Sequence, residues 1–281
     1  MNYQDDNNLV IHLSKEIKEF KFENIKQNSI IAIFDNSIKD KSYFIKDIIN
    51  LQKEKKEIYC FTSHLKNSFY KKFIKESNIY NGYKQDVFEN IIENYGYYNQ
   101  LNQNKILIID NILLNKIESQ TKLNELDNSY SDSELLHLQS YNIQNSTDYI
   151  NECKTLRHIL QNNRSYKIHT IIHSYNLLQM SVYLRAEIDY LFIKISTHYN
   201  LDSSTKSKIF SSRQNCKNYL YNKYCLVFPS FELFDKILTE LNDLASASGS
   251  DNDCYLVIDN TINSNILEEN IFFVKQSNLK I

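Results

Sequence analysis

Short, nearly continuous apolar runs alternate with helical stretches along most of this chain, and that alternation leaves few folds open. The runs are Ile30–Phe34, Glu57–Thr62, Lys105–Asp110, Ile168–His173 and Tyr190–Ile195. Each is five or six residues long and rich in Ile, Phe and Tyr. Strands that are apolar on both faces must be covered on both faces, which is the condition of a largely parallel sheet flanked by helices. Cys254–Asp259 and Asn270–Lys275 read as a final strand pair separated by a polar, Asn-rich turn. At 281 residues the chain fits one α/β domain spanning 1–281. The stretches 115–151 and 245–253 are poor in core residues and read as a helical or loop insertion and a flexible loop.

The first run is followed by Asp35-Asn-Ser-Ile-Lys-Asp40-Lys41-Ser42, and a helix is expected from about Tyr43. Strand, short loop, Lys-Ser and helix are the layout of a Walker A loop. In a working loop, glycines let successive backbone N–H groups approach the phosphates, and the helix N-terminus adds positive potential. Lys41 would reach the β- and γ-phosphates and Ser42 would ligate magnesium. Asp35 and Asp40 stand where the two glycines belong. A carboxylate about 4 Å from a phosphate charge costs about 4 kcal/mol at an effective dielectric of about 20. The plainer reading of the segment is a strand-to-helix turn with Asp at the cap.

Asp110 closes an apolar strand as a Walker B acid does, and such an acid holds magnesium directly or through water. The next residue of an active ATPase is usually a second acid that polarises water. Here it is Asn111, which cannot act as a base. An Asp simply ending a strand is the alternative.

Composition narrows the remaining classes. The net charge of −2 gives no global basic field for nucleic acid, which leaves only a local patch. The five cysteines form no C-x-x-C pair, which points to free thiols in a reducing compartment. The acidic, polar start at Met1-Asn-Tyr-Gln-Asp-Asp is no signal peptide, and no run reaches the roughly 18 apolar residues of a membrane helix. The histidines show no ligand spacing, and His173 at a strand tip reads as a filler. Gly 3 and Pro 1, with abundant Asn, Ile, Lys and Tyr, give the bias of an AT-rich genome.

Asn162-Asn-Arg-Ser-Tyr-Lys-Ile-His-Thr-Ile-Ile-His173, then Leu184-Arg-Ala-Glu-Ile-Asp-Tyr-Leu-Phe192, resemble a stretch of the virion-packaging ATPases of nucleocytoplasmic large DNA viruses. That stretch reads N-G-R-H-y-x-I-T, then a strand ending near a Gln, then L-R-x-N-I-D-Y-v-F. Phe228-Pro-Ser-Phe-Glu-Leu-Phe234 and Leu256-Val-Ile-Asp-Asn260, followed by Ile271-Phe-Phe, resemble the same family's C-terminal pattern. The resemblance runs from about residue 22 to 275, with a giant amoebal virus or poxvirus-like flavour.

The resemblance implies a P-loop NTPase fold of the ASCE, FtsK/HerA-like kind that forms a ring and pumps viral double-stranded DNA into a capsid. It implies ATP and magnesium as cofactors if the chain is active, with Lys41, Ser42 and Asp110 as contacts. Arg164 matches the Arg of an Arg-His pair, and Ser165 replaces its His. Tyr175 falls where a sensor Gln would sit. Arg185 is a candidate inter-subunit arginine finger, with a strand-flanking salt bridge as its plainer role, and Arg213 is a weaker finger candidate. The departures fall on chemistry while the buried strands are kept. That pattern suits a homologue impaired or inactive in hydrolysis, a pseudoenzyme in a ring with an active paralogue, located in the viral factory of the host cytoplasm or in the virion. A divergent active motor and a non-enzymatic virion scaffold touching capsid proteins are the alternatives.

Overall fold

The computed structural model of the protein describes residues 17–35, 41–51, 57–62, 69–97, 104–112, 154–174, 182–195, 218, 220–223, 228, 230–247 and 254–275. The fold is mixed α/β, as the alternating runs require. Among the described residues nine strands form one sheet: β1 (Lys18–Glu19), β2 (Ile30–Phe34), β3 (Glu57–Thr62), β4 (Ile79–Asn81), β5 (Lys105–Asp110), β6 (Ile168–Ser174), β7 (Tyr190–Ile195), β8 (Cys254–Asp259) and β9 (Ile271–Lys275). Their order is β1-β9-β8-β7-β2-β6-β5-β3-β4. The helices used below are α1 (Lys41–Leu51), α2 (Gln85–Tyr97), α3 (Lys154–Gln161), α4 (Val182–Ala186), α5 (Phe231–Ala247) and α6 (Leu267–Asn270). The chain divides into two compact units, one of residues 1–25, 33–36 and 189–281 and one of residues 26–32 and 37–188.

In the second unit, β4, β3, β5 and β6 run parallel in a continuous register. β5 is buried from Ile106 to Asp110 and β6 along its whole length, which matches the near-continuous apolar reading of these runs. Helix α1 buries Phe44, Ile45 and Ile48, the i, i+1, i+4 spacing of one helical face. Phe61 and Phe88 stack with ring centroids 4.1 Å apart. The helix starts at Lys41, two residues before the sequence suggests, so Lys41 and Ser42 fall in its first turn. The backbone N–H of Thr170 donates to the Ser29 carbonyl at 3.0 Å, and Asn163 Nδ2 donates to the Asn28 carbonyl. Asn28, Asn111 and Lys167 take the left-handed backbone, at φ of 55°, 54° and 52°. Asn tolerates that region better than other residues bearing a Cβ, so a glycine-poor chain turns on Asn twice here.

In the first unit, β8 runs antiparallel to both β7 and β9, and β1 pairs parallel with β9. The hairpin expected from the last two runs is therefore present. Asp259 Oδ1 accepts from the Thr261 N–H at 2.8 Å and fixes its turn. Phe20 sets its ring edge-on to Phe22, Tyr190, Phe192 and Phe272. Helix α5 packs on β7 and β8 through a face that buries Leu233, Phe234, Ile237 and Leu241. Its N-cap is Ser230, whose Oγ accepts from the Leu233 N–H at 3.1 Å. The expected loop 245–253 is in part this helix, which runs on through Ala245-Ser-Ala247, because Ala is the best helix former. Residues 248–253 and the expected insertion at 115–151 lie outside the described residues.

No helix among the described residues is long and apolar enough to cross a membrane. Cys60 and Cys254 are buried free thiols.

Three protons on β3 and β4 are held unusually tightly. The Cys60 thiol is pushed well above its ordinary value of 9.0 by burial and then by the charge of Asp110. The Tyr59 phenol is pushed up by burial, then by its hydrogen bond with Glu57, and the Tyr80 phenol by burial, then by Glu57 and Asp86. For all three the folded chain keeps a proton that the unfolded chain releases from about pH 9 or 10 upward. Their stability contribution is complete below pH 9 and is lost as pH rises through the folded values. Lys105, pushed below 10.5 mainly by burial, works in the opposite sense up to pH 10.5, one group against three. Urea midpoints at pH 8 and pH 10.5 should differ, with the alkaline one lower; equal midpoints would refute the assignment.

Candidate functional site

The parallel register of the second unit puts three polar side chains in one row at the carboxyl ends of adjacent strands. Thr62 of β3 lies opposite Asp110 of β5, and Asp110 opposite His173 of β6. Asp110 is fully buried. Its Oδ2 accepts from Thr62 Oγ1 at 3.2 Å and from Tyr70 OH at 3.0 Å, and its Oδ1 lies 2.7 Å from His173 Nδ1. Tyr70 comes from a 3-10 turn over Tyr70–Lys72, where its ring packs edge-on to Phe69 and Phe73. A buried carboxylate survives only when its lone pairs are met by donors, and here three side chains from three elements meet them.

Asn111 follows in the left-handed conformation, and its N–H donates to the His173 carbonyl at 3.1 Å. Its side-chain amide is buried, and neither polar atom has a hydrogen-bond partner among the described residues.

Magnesium does not fit this carboxylate as it stands. The ion demands near-octahedral oxygen ligands at about 2.0–2.1 Å and keeps several of its waters. Asp110 has no exposed surface to admit a hydrated ion, and both oxygens already accept from protein groups. Among the described residues no group of three or more His, Cys, Asp or Glu is placed to hold a metal ion.

In the first unit, Asp35 follows β2 directly. It is buried, its Oδ2 accepts from Tyr255 OH of β8 at 2.9 Å, and its Oδ1 lies 3.6 Å from Lys194 Nζ of β7. The side chain of Lys194 is itself only 7% exposed. The carboxylate that the sequence reading sets at the first loop-glycine position is thus engaged by Lys194 and Tyr255. The sequence-based picture of an unpartnered charge facing a phosphate changes accordingly.

The other sequence candidates distribute as follows. Asp40, Tyr175 and Arg213 lie outside the described residues, as do the side chains of Lys41 and Ser42. Arg185 of α4 is buried at 7% exposure. Arg164 and Ser165 are exposed in the turn before β6. His173, read as a filler, instead bonds directly to Asp110. Thr62, Tyr70, Lys194 and Tyr255 were not singled out by the sequence. Thr62 carried a signal, as a hydroxyl ending an apolar run one strand before Asp110, but the other three sit in stretches that show nothing of their partners.

No protein-family model matches the chain, and no curated protein matches it significantly. Among solved structures it is similar to the genome packaging NTPase B204 from Sulfolobus turreted icosahedral virus 2 in complex with ATP-γS, at 12% identity and a TM-score of 0.43, over 89% of this chain and 98% of that one. It is also similar to B204, the DNA-packaging ATPase from Sulfolobus turreted icosahedral virus, at 15% identity and a TM-score of 0.43, over 89% of this chain and 98% of that one.

Proposed function

We propose that this chain is a homologue of virion DNA-packaging ATPases, with a P-loop core of the ASCE type that is impaired in ATP hydrolysis. The observation that carries the reading is the row Thr62–Asp110–His173. It sets an acid at the carboxyl end of the strand where a Walker B acid belongs, with its oxygens engaged by the protein and Asn111 in place of a second acid. Strand order supports the fold assignment. β6 lies between β2, which leads into the Lys41-Ser42 helix, and β5, which ends on Asp110. The strands that lead into the Lys41-Ser42 helix and end on Asp110 are thus one strand apart in the sheet. Hydrolysis needs a positioned base or water-orienting group, and removing the acid beside Asp110 takes that group away.

On this reading the chain works as a non-hydrolysing member of an oligomeric ring, beside an active paralogue on viral double-stranded DNA, in the viral factory or the virion. Lys41 would hold a nucleotide phosphate from the first turn of α1. The burial of Arg185 suits an internal role better than that of a finger reaching a neighbouring subunit.

The test is a titration of the purified chain with a fluorescent ATP analogue, followed by phosphate release with and without double-stranded DNA. Binding without turnover is the expected result. Sustained release near 1 per second, the lower end of ordinary enzyme turnover, would sink the impaired reading in favour of an active motor. Absence of both nucleotide and DNA binding would favour the scaffold.

A further inference from the structure

The reading just given leaves open what Asp110 does in a site that no longer hydrolyses. We infer that the Asp110 carboxylate is an internal anchor closed to divalent metal, so that any nucleotide this chain takes is taken without a metal ion on Asp110. The inference rests on the proposed nucleotide fold for its second half only.

Its basis is the count of donors and the room around them. An ionised carboxylate offers about four lone-pair directions. Three are directed at Thr62 Oγ1, Tyr70 OH and His173 Nδ1, at 3.2, 3.0 and 2.7 Å. The donors arrive from both sides in the sheet, since β3 and β6 flank β5, and from the 3-10 turn that carries Tyr70. His173 holds the oxygen on one side and the two hydroxyls hold the other. A cation would have to displace an imidazole or two hydroxyls, each buried with Asp110. Displaced buried donors lose their partner without gaining water, which sets a penalty against metal entry. The backbone reinforces the arrangement, because the Asn111 N–H donates to the carbonyl of His173 and ties the end of β5 to the end of β6.

The experiment uses the whole chain and manganese as the probe. Electron paramagnetic resonance is recorded as Mn²⁺ is titrated alone and with ATP, and affinity for a fluorescent ATP analogue is measured in EDTA and in magnesium. The expected results are no bound Mn²⁺ that depends on Asp110, and an effect of magnesium on nucleotide affinity that Asp110→Asn changes by no more than about twofold. Saturable Mn²⁺ binding abolished by Asp110→Asn, or a magnesium enhancement of nucleotide binding that Asp110→Asn lowers at least tenfold, overturns the inference. Should Asp110→Asn not fold, the wild-type chain decides. Manganese on Asp110 would sit beside His173, so nitrogen modulation of its spin echo from an imidazole overturns the inference, and an echo without it supports it. If no nucleotide binds under either condition while Asp110 stays metal-free, the closed carboxylate stands and the nucleotide reading under "Proposed function" is what fails.

Discussion

Replacing Asp35 with glycine, the residue that the proposed phosphate-loop reading expects there, is expected to destabilise this protein by about 3–5 kcal/mol, because it breaks a buried ion pair from one side. The carboxylate lies between Lys194 Nζ and Tyr255 OH, so its removal takes an ion-pair partner from β7 and a hydrogen-bond acceptor from β8. Neither side chain has solvent to turn to, since Lys194 is 7% exposed at its side chain and Tyr255 is fully buried. Urea unfolding gives the size of the loss. A second variant, Asp35→Gly/Lys194→Met, also removes the buried ammonium and should recover more than half of that loss. A loss under about 1 kcal/mol for the single change, the range of an exposed pair, would mean that Asp35 anchors nothing. The practical corollary is that a loop reversal cannot be read from activity alone. A silent Asp35→Gly protein is uninformative unless it is shown to be folded.

His173→Ala is the second large effect. A hydrogen bond to a charged group contributes about 1.5–3 kcal/mol, and a truncated buried ring adds a cavity term of similar size, so a loss of about 3–5 kcal/mol is expected. Tyr70→Phe should cost only about 1 kcal/mol, since it removes one hydroxyl and keeps the ring against Phe69 and Phe73. The ordering of the two is the diagnostic. If Tyr70→Phe matches or exceeds His173→Ala in thermal and urea unfolding, then the hydroxyl side is the principal support of Asp110, not the imidazole.

The strands were legible in the sequence to the residue for β2, β3, β5, β7 and β8, because each is a nearly continuous apolar run between polar stretches. β1 and β4 were not, since strands of two and three residues are too short to show any period. The identity of the two acids was legible, and their surroundings were not. Asp35 and Lys194 are 159 residues apart, and Asp35 and Tyr255 are 220 apart. No local pattern encodes such a pairing; it emerges only when β7 and β8 take their places in the sheet. The same holds for Asp110 and His173, 63 apart in sequence and opposite in register. His173 was visible at a strand tip, but its partner depended on which strand lay beside it.

One feature of the sheet bears on how the chain is made. β1 pairs with β9, Lys18 opposite Phe272 and Glu19 opposite Phe273. A ribosome delivers Phe272 of β9 254 residues after Lys18 of β1. At roughly 5–20 residues per second, β1 waits on the order of ten seconds or more for its parallel partner β9 to emerge. The unit built from residues 26–32 and 37–188 needs no such late arrival. Vectorial synthesis thus imposes an order of assembly: residues 26–32 and 37–188 are all in hand while β1 still lacks the strand beside which it must lie.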